Sequence, residues 1–348
     1  MSHAPVRFGL IGFGAWGQFH AQSIAANPHA QLAAITAPSA ASREAAAKLY
    51  PQAQIFSDHR EMLAGSKLDI VDIVTPSHTH LEMASAALNS GCHVLLEKPM
   101  ALRIEDCLAI VRLAKERGLQ LAVGHELRVS SLWGEIKNII DRGVIGSPQY
   151  VLVELLRKPY RLGASGWRYD RERVGSWVLE EPIHFFDLAR WYLQSAGEPV
   201  ELYARGNSRD PSRPDLYDNF SAMFSYANGA YAVVSQTLAA FEHHQTVKVT
   251  GTKGAIWAGW SGVMDRTLEP TSFLKVFDGA KLEEVKIEKH AGEVYELRTQ
   301  IDRCVLMARG EAAPVATGND GAWSTALCLI AEESIRLNRV LPVGQLIS

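Results

Sequence analysis

Three glycines near the N-terminus constrain the fold of this chain more than any other feature of its sequence. They follow the apolar run Val6–Ile11 with the spacing G-x-G-x-x-G and lead directly into the helical segment Ala15–Ala26. In a strand–turn–helix of this kind the glycines allow a tight turn, close approach of the backbone to a pyrophosphate, and close packing of the helix, whose positive N-terminus binds the phosphates. A purely structural glycine turn is the alternative. The motif predicts a dinucleotide site formed by Gly12, Phe13, Gly14, Ala15, Trp16 and Gly17.

The remainder of the first third alternates strand and helix signals, which is typical of a parallel sheet with helices on both faces. Predicted strands after the first are Gln31–Ile35, Asp69–Val74, His93–Leu96 and Leu119–Val123. Beyond about Gly146 strand signals dominate, and Asn228-Gly229 marks a hairpin between two of them. We therefore predict an α/β chain: a doubly wound parallel sheet, then an α+β domain with a large, mainly antiparallel open sheet.

Length and composition set the broad class of protein. At 348 residues the chain is long for a single core, and we predict domains at 1–124 and 125–348. With 47% hydrophobic residues, 21% charged residues and a net charge of -3, nothing favours nucleic acid or a membrane as a partner. The N-terminal apolar run leads into the glycine motif and not into a cleavage site, and four scattered cysteines show no pairing pattern. These features predict a cytoplasmic protein.

The acidic residue that usually ends the second strand of a dinucleotide-binding unit is absent. No Asp or Glu occurs between Met1 and Arg43, and the strand is followed by Ala37-Pro38-Ser39. A carboxylate at this place binds the ribose hydroxyls of NAD, whereas hydroxyls with an arginine suit the 2′-phosphate of NADP. We therefore predict NADP as the preferred cofactor, bound by Ser39 and Arg43, with NAD as the alternative.

A lysine follows directly on the apolar segment His93–Leu96. The sequence there is Glu97-Lys98-Pro99, and a charged ammonium is costly to bury at the end of a strand. The carboxyl ends of strands in open α/β sheets are where ligands bind, and Pro99 restricts Lys98 to extended geometry. We predict that Glu97 and Lys98 contact the cofactor; a lysine that merely reaches water is the alternative.

A second loop stands at the carboxyl end of a predicted strand. The segment TPSHTH follows Asp69–Val74 directly, so it is expected at the same edge of the sheet. We predict that it closes on the nicotinamide side of the cofactor through Thr75, Pro76 and His80. An ordinary surface loop is the alternative for either histidine.

These segments resemble the Gfo/Idh/MocA family, named for glucose–fructose oxidoreductase, inositol dehydrogenase and a rhizopine-catabolism protein. The resemblance rests on VRFGLIGFGAWG, TPSHTH, the Glu97-Lys98-Pro99 strand end and GSWVLEEPIHFFD, and it covers essentially the whole chain. It implies an N-terminal Rossmann domain and a C-terminal domain whose open sheet commonly forms the oligomer interface. It also implies NAD(P)-dependent oxidation or reduction of a sugar, cyclitol or related polyhydroxylated compound by a homodimer or homotetramer.

By position, the resemblance places the catalytic lysine on Lys98 and the catalytic histidine on His184. Four residues before that histidine the family usually has an aspartate; here Glu180 stands there, with Glu181 as the alternative, and Pro182 replaces a glycine. Alcohol oxidation needs a base, and an imidazole titrates near neutrality. A cationic Lys98 would stabilise negative charge on the substrate oxygen. A hydrogen-bonded core histidine is the alternative interpretation of His184.

Aromatic and arginine side chains before His184 are candidates for substrate binding, because rings stack on sugar C–H faces and guanidinium groups bind hydroxyls. The same residue types are common at subunit contacts. The predicted substrate-binding residues are Arg128, Tyr160, Trp167, Arg168 and Glu181. We predict no metal site, since the adjacent His243 and His244 would point to opposite faces of a strand.

The sequence favours a dehydrogenase or reductase that acts on a small carbohydrate or polyol. An NAD-dependent glycoside hydrolase is one alternative, because some members of the family cleave glycosidic bonds through transient oxidation. A cofactor-binding regulator without catalysis is the other alternative. The presence of both Lys98 and His184 argues against the regulator.

Overall fold

The structure, a computed structural model, describes residues 4–344 of the chain. The chain divides into two compact units. One is Met1–Glu126 with Leu297–Ala322, and the other is Leu127–Glu296 with Trp323–Ser348. Within residues 4–344, no helix is both long and apolar enough to cross a membrane.

The first unit is built on a six-stranded parallel sheet with the strand order β3-β2-β1-β4-β5-β6. The order reverses direction next to β1, which is the switch point where ligands bind in doubly wound sheets. The strands are β1 (Val6–Ile11), β2 (Ala30–Thr36), β3 (Gln54–Phe56), β4 (Ile70–Ile73), β5 (His93–Leu96) and β6 (Leu121–Val123). The helices are α1 (Ala15–Ala26), α2 (Ala40–Leu49), α3 (His59–Gly65), α4 (His80–Asn89) and α5 (Ile104–Arg117).

The second unit carries a nine-stranded mixed sheet, ordered β14-β13-β12-β11-β7-β10-β9-β8-β15. Its strands are β7 (Pro148–Arg157), β8 (Pro199–Asn207), β9 (Asn219–Tyr226), β10 (Tyr231–Thr237), β11 (His243–Gly251), β12 (Ala255–Gly262), β13 (Thr271–Phe277), β14 (Leu282–Glu284) and β15 (Leu341–Pro342). Its helices include α6 (Trp133–Asp141), α7 (Arg171–Val174) and α8 (Pro182–Tyr192). Two more helices, α9 (Glu293–Ala308) and α10 (Gly318–Leu337), contribute residues to both units.

The predicted fold class is confirmed by these two sheets. The Asn228-Gly229 hairpin also forms, since β9 and β10 pair antiparallel around it. One neighbour pair in the second sheet, β10 with β7, is parallel, so the sheet is mainly and not wholly antiparallel.

The first unit takes in a late segment that the predicted boundary at residue 124 did not include. The part of α9 in this unit packs on the sheet through Ile301, Cys304 and Val305, which are buried with Phe8 and Leu10 of β1. Burial of apolar surface against one sheet therefore assigns this stretch to the first unit.

Each sheet is packed on one helical element that bears on the candidate site. In the first unit, α1 covers β1 and β2, with Ala21 and Ile24 fully buried. In the second unit, α8 lies on β7 and β10. Its Phe186 ring stacks on Phe220 and Phe224 of β9 at centroid distances of 6.3 and 6.0 Å. These contacts hold each helix on its sheet.

Candidate active site

The glycine turn after β1 has no room for side chains at its first and third glycines. Gly12 has φ +104, and a Cβ atom there would lie 2.2 Å from the Val74 carbonyl oxygen. A Cβ atom on Gly17 would lie 2.0 Å from the carbonyl oxygen of Gly12 itself. Close contact between turn, helix and β4 therefore demands glycine at both positions.

Gly14 differs, because a Cβ atom there would meet no protein atom within 4 Å. The open space lies at the N-cap of α1, which has no side-chain cap and no acidic residue in its first turn. Backbone N–H groups at such a helix end bind phosphate oxygens. The residues present therefore fit the pyrophosphate of a dinucleotide. Of the other motif residues, Phe13 is buried against the Tyr50 ring and Ala15 is exposed.

The residues after β2 hold an arginine at the strand end. Ser39 caps α2 by accepting a hydrogen bond from the Ser42 N–H at 3.1 Å. The half-buried Arg43 donates from Nη1 to the carbonyl oxygens of Ala37 and Pro38, at 3.0 and 2.6 Å. Nη1 is thus anchored on the backbone that follows β2, and the guanidinium is fixed at the place where the ribose-binding acid usually stands.

The loop after β4 is tied to the turn after β5 by His80. Its Nδ1 lies 2.9 Å from the Pro99 carbonyl oxygen, and its Nε2 lies 2.9 Å from the Thr75 carbonyl oxygen. The ring is fully buried, and burial lowers the pKa of His80. Thr75 Oγ1 is 2.8 Å from Thr79 Oγ1, and Pro76 is half-buried. His80 therefore holds two loops together and does not face water.

Lys98 directly follows Glu97, the first residue after β5. Glu97 is buried, whereas Lys98 is half-buried, and the Lys98–Pro99 peptide bond is cis. The Lys98 backbone N–H donates to Glu97 Oε2 at 3.3 Å. The first unit thus brings Glu97, Lys98 and His80 to one edge of the sheet, the edge at which the glycine turn also lies.

Two ionisable residues near this edge escaped the sequence interpretation. His20 of α1 and Asp72 of β4 are both fully buried, with Nδ1 and Oδ2 2.7 Å apart. A charged residue inside the apolar run DIVDIV requires a partner. His20 lies three residues after Gly17, on the buried face of α1. An aspartate inside an apolar strand and a histidine on the buried face of a helix each indicate a buried ion pair. Neither signal identifies the partner residue.

In the second unit, His184 lies in the first turn of α8 and is 3% exposed. Its backbone N–H donates to the Glu181 carbonyl oxygen at 3.1 Å. The following residues Phe185, Phe186 and Leu188 are buried in the core. The position of His184 therefore depends on Glu181, the N-cap residue directly before α8.

Glu181 is clamped by two adjacent strands. Its carboxylate accepts a hydrogen bond from Arg157 at the end of β7, and Oε1 lies 2.9 Å from His243 Nε2 at the start of β11. Arg157 and His243 are paired neighbours in the sheet. Burial opposes ionisation of Glu181, but Arg157 and His243 outweigh it and hold the pKa of Glu181 well below its usual range.

Glu180 has a separate partner. Its Oε2 accepts a hydrogen bond from Arg168 Nε at 2.9 Å, and the Arg168 guanidinium stacks on the Trp167 ring with 4.8 Å to the centroid. Arg168 remains 30% exposed. The structure therefore joins the predicted residues Glu180, Trp167 and Arg168 in one group, distinct from the Glu181 clamp.

Two predicted substrate-binding residues already bind protein groups. Arg128 donates two hydrogen bonds to Asp187, from Nε at 2.8 Å and from Nη2 at 2.7 Å, and both side chains are buried. The buried Tyr160 hydroxyl donates to Gln236 Oε1 at 2.9 Å. That Arg128 and Tyr160 also contact a substrate remains a prediction.

A Rossmann unit with an open phosphate cradle and a lysine at its ligand-binding edge defines an NAD-binding oxidoreductase. Residues 6–125 match the Gfo/Idh/MocA oxidoreductase family with NAD-binding Rossmann fold, and residues 133–257 match the C-terminal domain of that family. The chain belongs to the Gfo/Idh/MocA family. It is similar to the uncharacterized oxidoreductase YrbE of Bacillus subtilis (strain 168), with 30% identity over 251 residues, 71% of this chain and 72% of the relative.

Two further similarities cover nearly the full length. Inositol 2-dehydrogenase of Rhizobium meliloti (strain 1021) is 28% identical over 347 residues, 97% of this chain and 99% of that protein. The crystal structure of the WlbA dehydrogenase from Bordetella pertussis, in complex with NADH and UDP-GlcNAcA, superimposes with a TM-score of 0.78 at 25% identity. That comparison covers 98% of this chain and 99% of the other.

The glycine turn leads to a first prediction. Gly14→Ala places a methyl group in open space, so the melting temperature should change little, whereas NADH and NADPH should bind about tenfold more weakly because the methyl group opposes the pyrophosphate. Gly17→Ala, the matched control, should lower the free energy of unfolding by about 1–3 kcal/mol. Thermal unfolding and fluorescence titration measure both effects. Unchanged cofactor binding by Gly14→Ala would contradict the site.

The Glu181 clamp leads to a second prediction. Glu181→Gln leaves Arg157 buried without its counter-charge and should lower the free energy of unfolding by about 3–5 kcal/mol at pH 7. Glu180→Gln should cost about 1 kcal/mol, because Arg168 keeps contact with water.

The free energies of unfolding of wild type and both variants are measured by denaturant titration at several pH values. Because the folded-state pKa of Glu181 is lowered, its contribution is present above the ordinary value of 4.5 and is lost as the pH falls below it. The gap between wild type and Glu181→Gln should therefore narrow in acid. Equal costs for the two variants at pH 7 would refute the clamp.

Proposed function

We propose that this protein is an NAD(P)-dependent dehydrogenase or reductase that transfers a hydride between a nicotinamide cofactor and a CH–OH carbon of a sugar, cyclitol or related polyhydroxylated compound. The proposal rests on one observation: the open space at Gly14, where the N-terminus of α1 can bind phosphates, lies at the same edge of the sheet as Lys98. The substrate class is supported by similar proteins, which include an inositol 2-dehydrogenase and a UDP-N-acetylglucosamine 3-dehydrogenase.

In the proposed reaction, the bound nicotinamide supplies the hydride acceptor or donor. His184 accepts the hydroxyl proton on an imidazole nitrogen during oxidation and returns it during reduction. The Lys98 ammonium stabilises the negative charge that develops on the substrate oxygen. Glu180 keeps the carboxylate of the family position, and its pairing with Arg168 orients it.

The Glu181 clamp then has a positioning role. It fixes the N-terminus of α8 against β7 and β11 and thereby sets the place of His184 three residues later. Pro182 at the first position of the helix is compatible with this role, because its fixed φ suits a helix start and its missing N–H is not needed there.

For the second unit, 125–348 in the predicted division, we propose substrate binding and assembly into a homodimer or homotetramer. Strands β9, β10, β12 and β13 leave large apolar side chains exposed: Met223, Tyr231, Trp257 and Phe273. Such a surface favours protein contact. All four cysteines are buried thiols, which fits the reducing cytoplasm as the compartment in which the enzyme works.

The proposed reaction leads to a third prediction. In a panel of inositols, sugars and glycosides, wild-type protein should generate reduced nicotinamide with at least one free polyol or sugar. Lys98→Met keeps the length of the side chain but removes its charge, and should lower kcat by about 10²- to 10⁴-fold. Release of sugar from a glycoside without reduced nicotinamide would indicate the hydrolase instead. An unimpaired Lys98→Met enzyme would refute the assigned role.

Arg43 leads to a fourth prediction, that NADPH binds about tenfold more tightly than NADH. No carboxylate precedes Arg43 in the chain to repel the 2′-phosphate, and the guanidinium is held at the end of β2. Arg43→Ala should remove this preference and leave NADH binding nearly unchanged. Lys48→Ala, an exposed cation near the end of the same helix, is the control. Fluorescence titration decides, and tighter NADH binding by wild type would contradict the assignment.

A further inference from the structure

Three buried ionisable side chains of the first unit have no place in the proposed reaction. His20 of α1 lies between two carboxylates: its Nδ1 is 2.7 Å from Asp72 Oδ2, and its Nε2 is 3.2 Å from Glu97 Oε1. The second distance is that of an ion pair, although its angle is not that of a hydrogen bond. His20 and Asp72 are fully buried, and Glu97 is 6% exposed.

We call His20, Asp72 and Glu97 the Glu97 cluster. Its charge follows from the distances between the three side chains. Burial lowers the pKa of His20, but Asp72 and Glu97 outweigh it and raise the pKa from 6.5 to about 10. His20 is therefore an imidazolium at neutral pH. For Glu97, burial opposes ionisation, but His20 and Lys98 hold its pKa below the usual range. For Asp72, burial outweighs the opposing effect of His20 and raises the pKa of the carboxyl group. The buried His20 imidazolium therefore has a carboxyl group on each side to compensate its charge.

Glu97 is held from several sides. The Trp16 side chain hydrogen-bonds to it, and the Lys98 N–H donates to Oε2 at 3.3 Å. On the β6 side, a Cβ atom on Gly124 would lie 2.7 Å from Glu97 Oε1, so only glycine leaves space for the carboxylate. The carboxylate has one position, and that position also fixes the backbone from which Lys98 extends.

We propose that His20 is a positioning residue for Lys98, acting through the Glu97 carboxylate. The inference rests on the proposed function, in which Lys98 stabilises charge on the substrate oxygen.

The physical reason for this role is that two cations, the His20 imidazolium and the Lys98 ammonium, compete for the Glu97 carboxylate. Glu97 and Lys98 are adjacent in the chain, and an unneutralised Glu97 attracts the Lys98 ammonium with the full strength of a poorly solvated charge. The His20 imidazolium neutralises Glu97 from the interior. Lys98 is then drawn less strongly towards Glu97, and its backbone stays in place.

The matched test compares two buried histidines of the same unit. His20→Gln keeps a polar group but removes the charge. His59→Gln is the control, since His59 is 6% exposed and its Nε2 is 3.9 Å from Glu82, away from the Glu97 cluster. Each substitution is made in the wild-type and in the Lys98→Met background. The measured quantities are kcat and KM with the polyol oxidised fastest in the panel, and the Kd of NADPH.

His20→Gln should lower kcat by about tenfold to a hundredfold, the cost of a misplaced catalytic group, with the Kd of NADPH changed less than about twofold. In the Lys98→Met background it should lower kcat no further, because residues that act through one another are not additive. His59→Gln should leave kcat unchanged. The same fold loss in both backgrounds overturns the inference alone. Wild-type kcat in Lys98→Met overturns the proposed function and the inference with it.

A measurement on the unmodified protein covers the case in which His20→Gln fails to fold. Imidazole ¹⁵N resonances of the cofactor-free protein, titrated from pH 6 to 10, should show one histidine that stays protonated beyond pH 9. Titration of every histidine near 6.5 overturns the inference. The groups that face the cluster from each packed element are Asp72 (β4), Glu97 and Lys98 (after β5), His80 (α4) and Cys304 (α9).

Discussion

The Glu97 carboxylate is removed from water at the end of β5, and the ligand-binding edge of the first unit is arranged around it. A buried carboxylate is stable only with donors or counter-charges from the protein. Helix α1 supplies Trp16 and His20, and β4 supplies Asp72 as the second partner of His20. Because Trp16 stands inside the glycine motif, the turn that offers N–H groups to phosphates also fixes the backbone at Lys98.

The second unit meets the same constraint with different groups. Glu181 is buried at the start of α8, and Arg157 and His243 compensate its charge from two neighbouring strands. The clamp lies three residues before His184, just as Glu97 precedes Lys98 by one. In both units a compensated buried carboxylate holds the backbone that carries the candidate catalytic side chain. Such a pair adds little net stability over apolar packing, and its value lies in geometric specificity.

Local sequence patterns were sufficient to predict the alternation of strands and helices, the glycine turn and the Asn228-Gly229 hairpin. Each of these features depends on residues that are neighbours in the chain. Strand β3, Gln54–Phe56, is absent from the predicted strands, because three residues are too few to show a strand pattern. The partners of buried charges were missed for another reason. His20 and Asp72 are 52 positions apart, and only the folded sheet brings α1 over β4. The sequence shows that such a charge needs a partner but not which residue it is.

One departure from the family pattern, Glu180 in place of the usual aspartate, lies where the charge pairing leaves room for change. Glu180 is longer than the usual aspartate by one methylene, and Arg168 reaches it from a segment that contains the left-handed residues Ser165 and Gly166. Arg168 stays partly exposed and stacks on Trp167, so this pair tolerates rearrangement at small cost. The Glu97 and Glu181 clusters do not, since an unpaired charge in either is expensive. Of the three ion pairs, the one between Glu180 and Arg168 is therefore the easiest to alter, with Glu97 and Glu181 left unchanged.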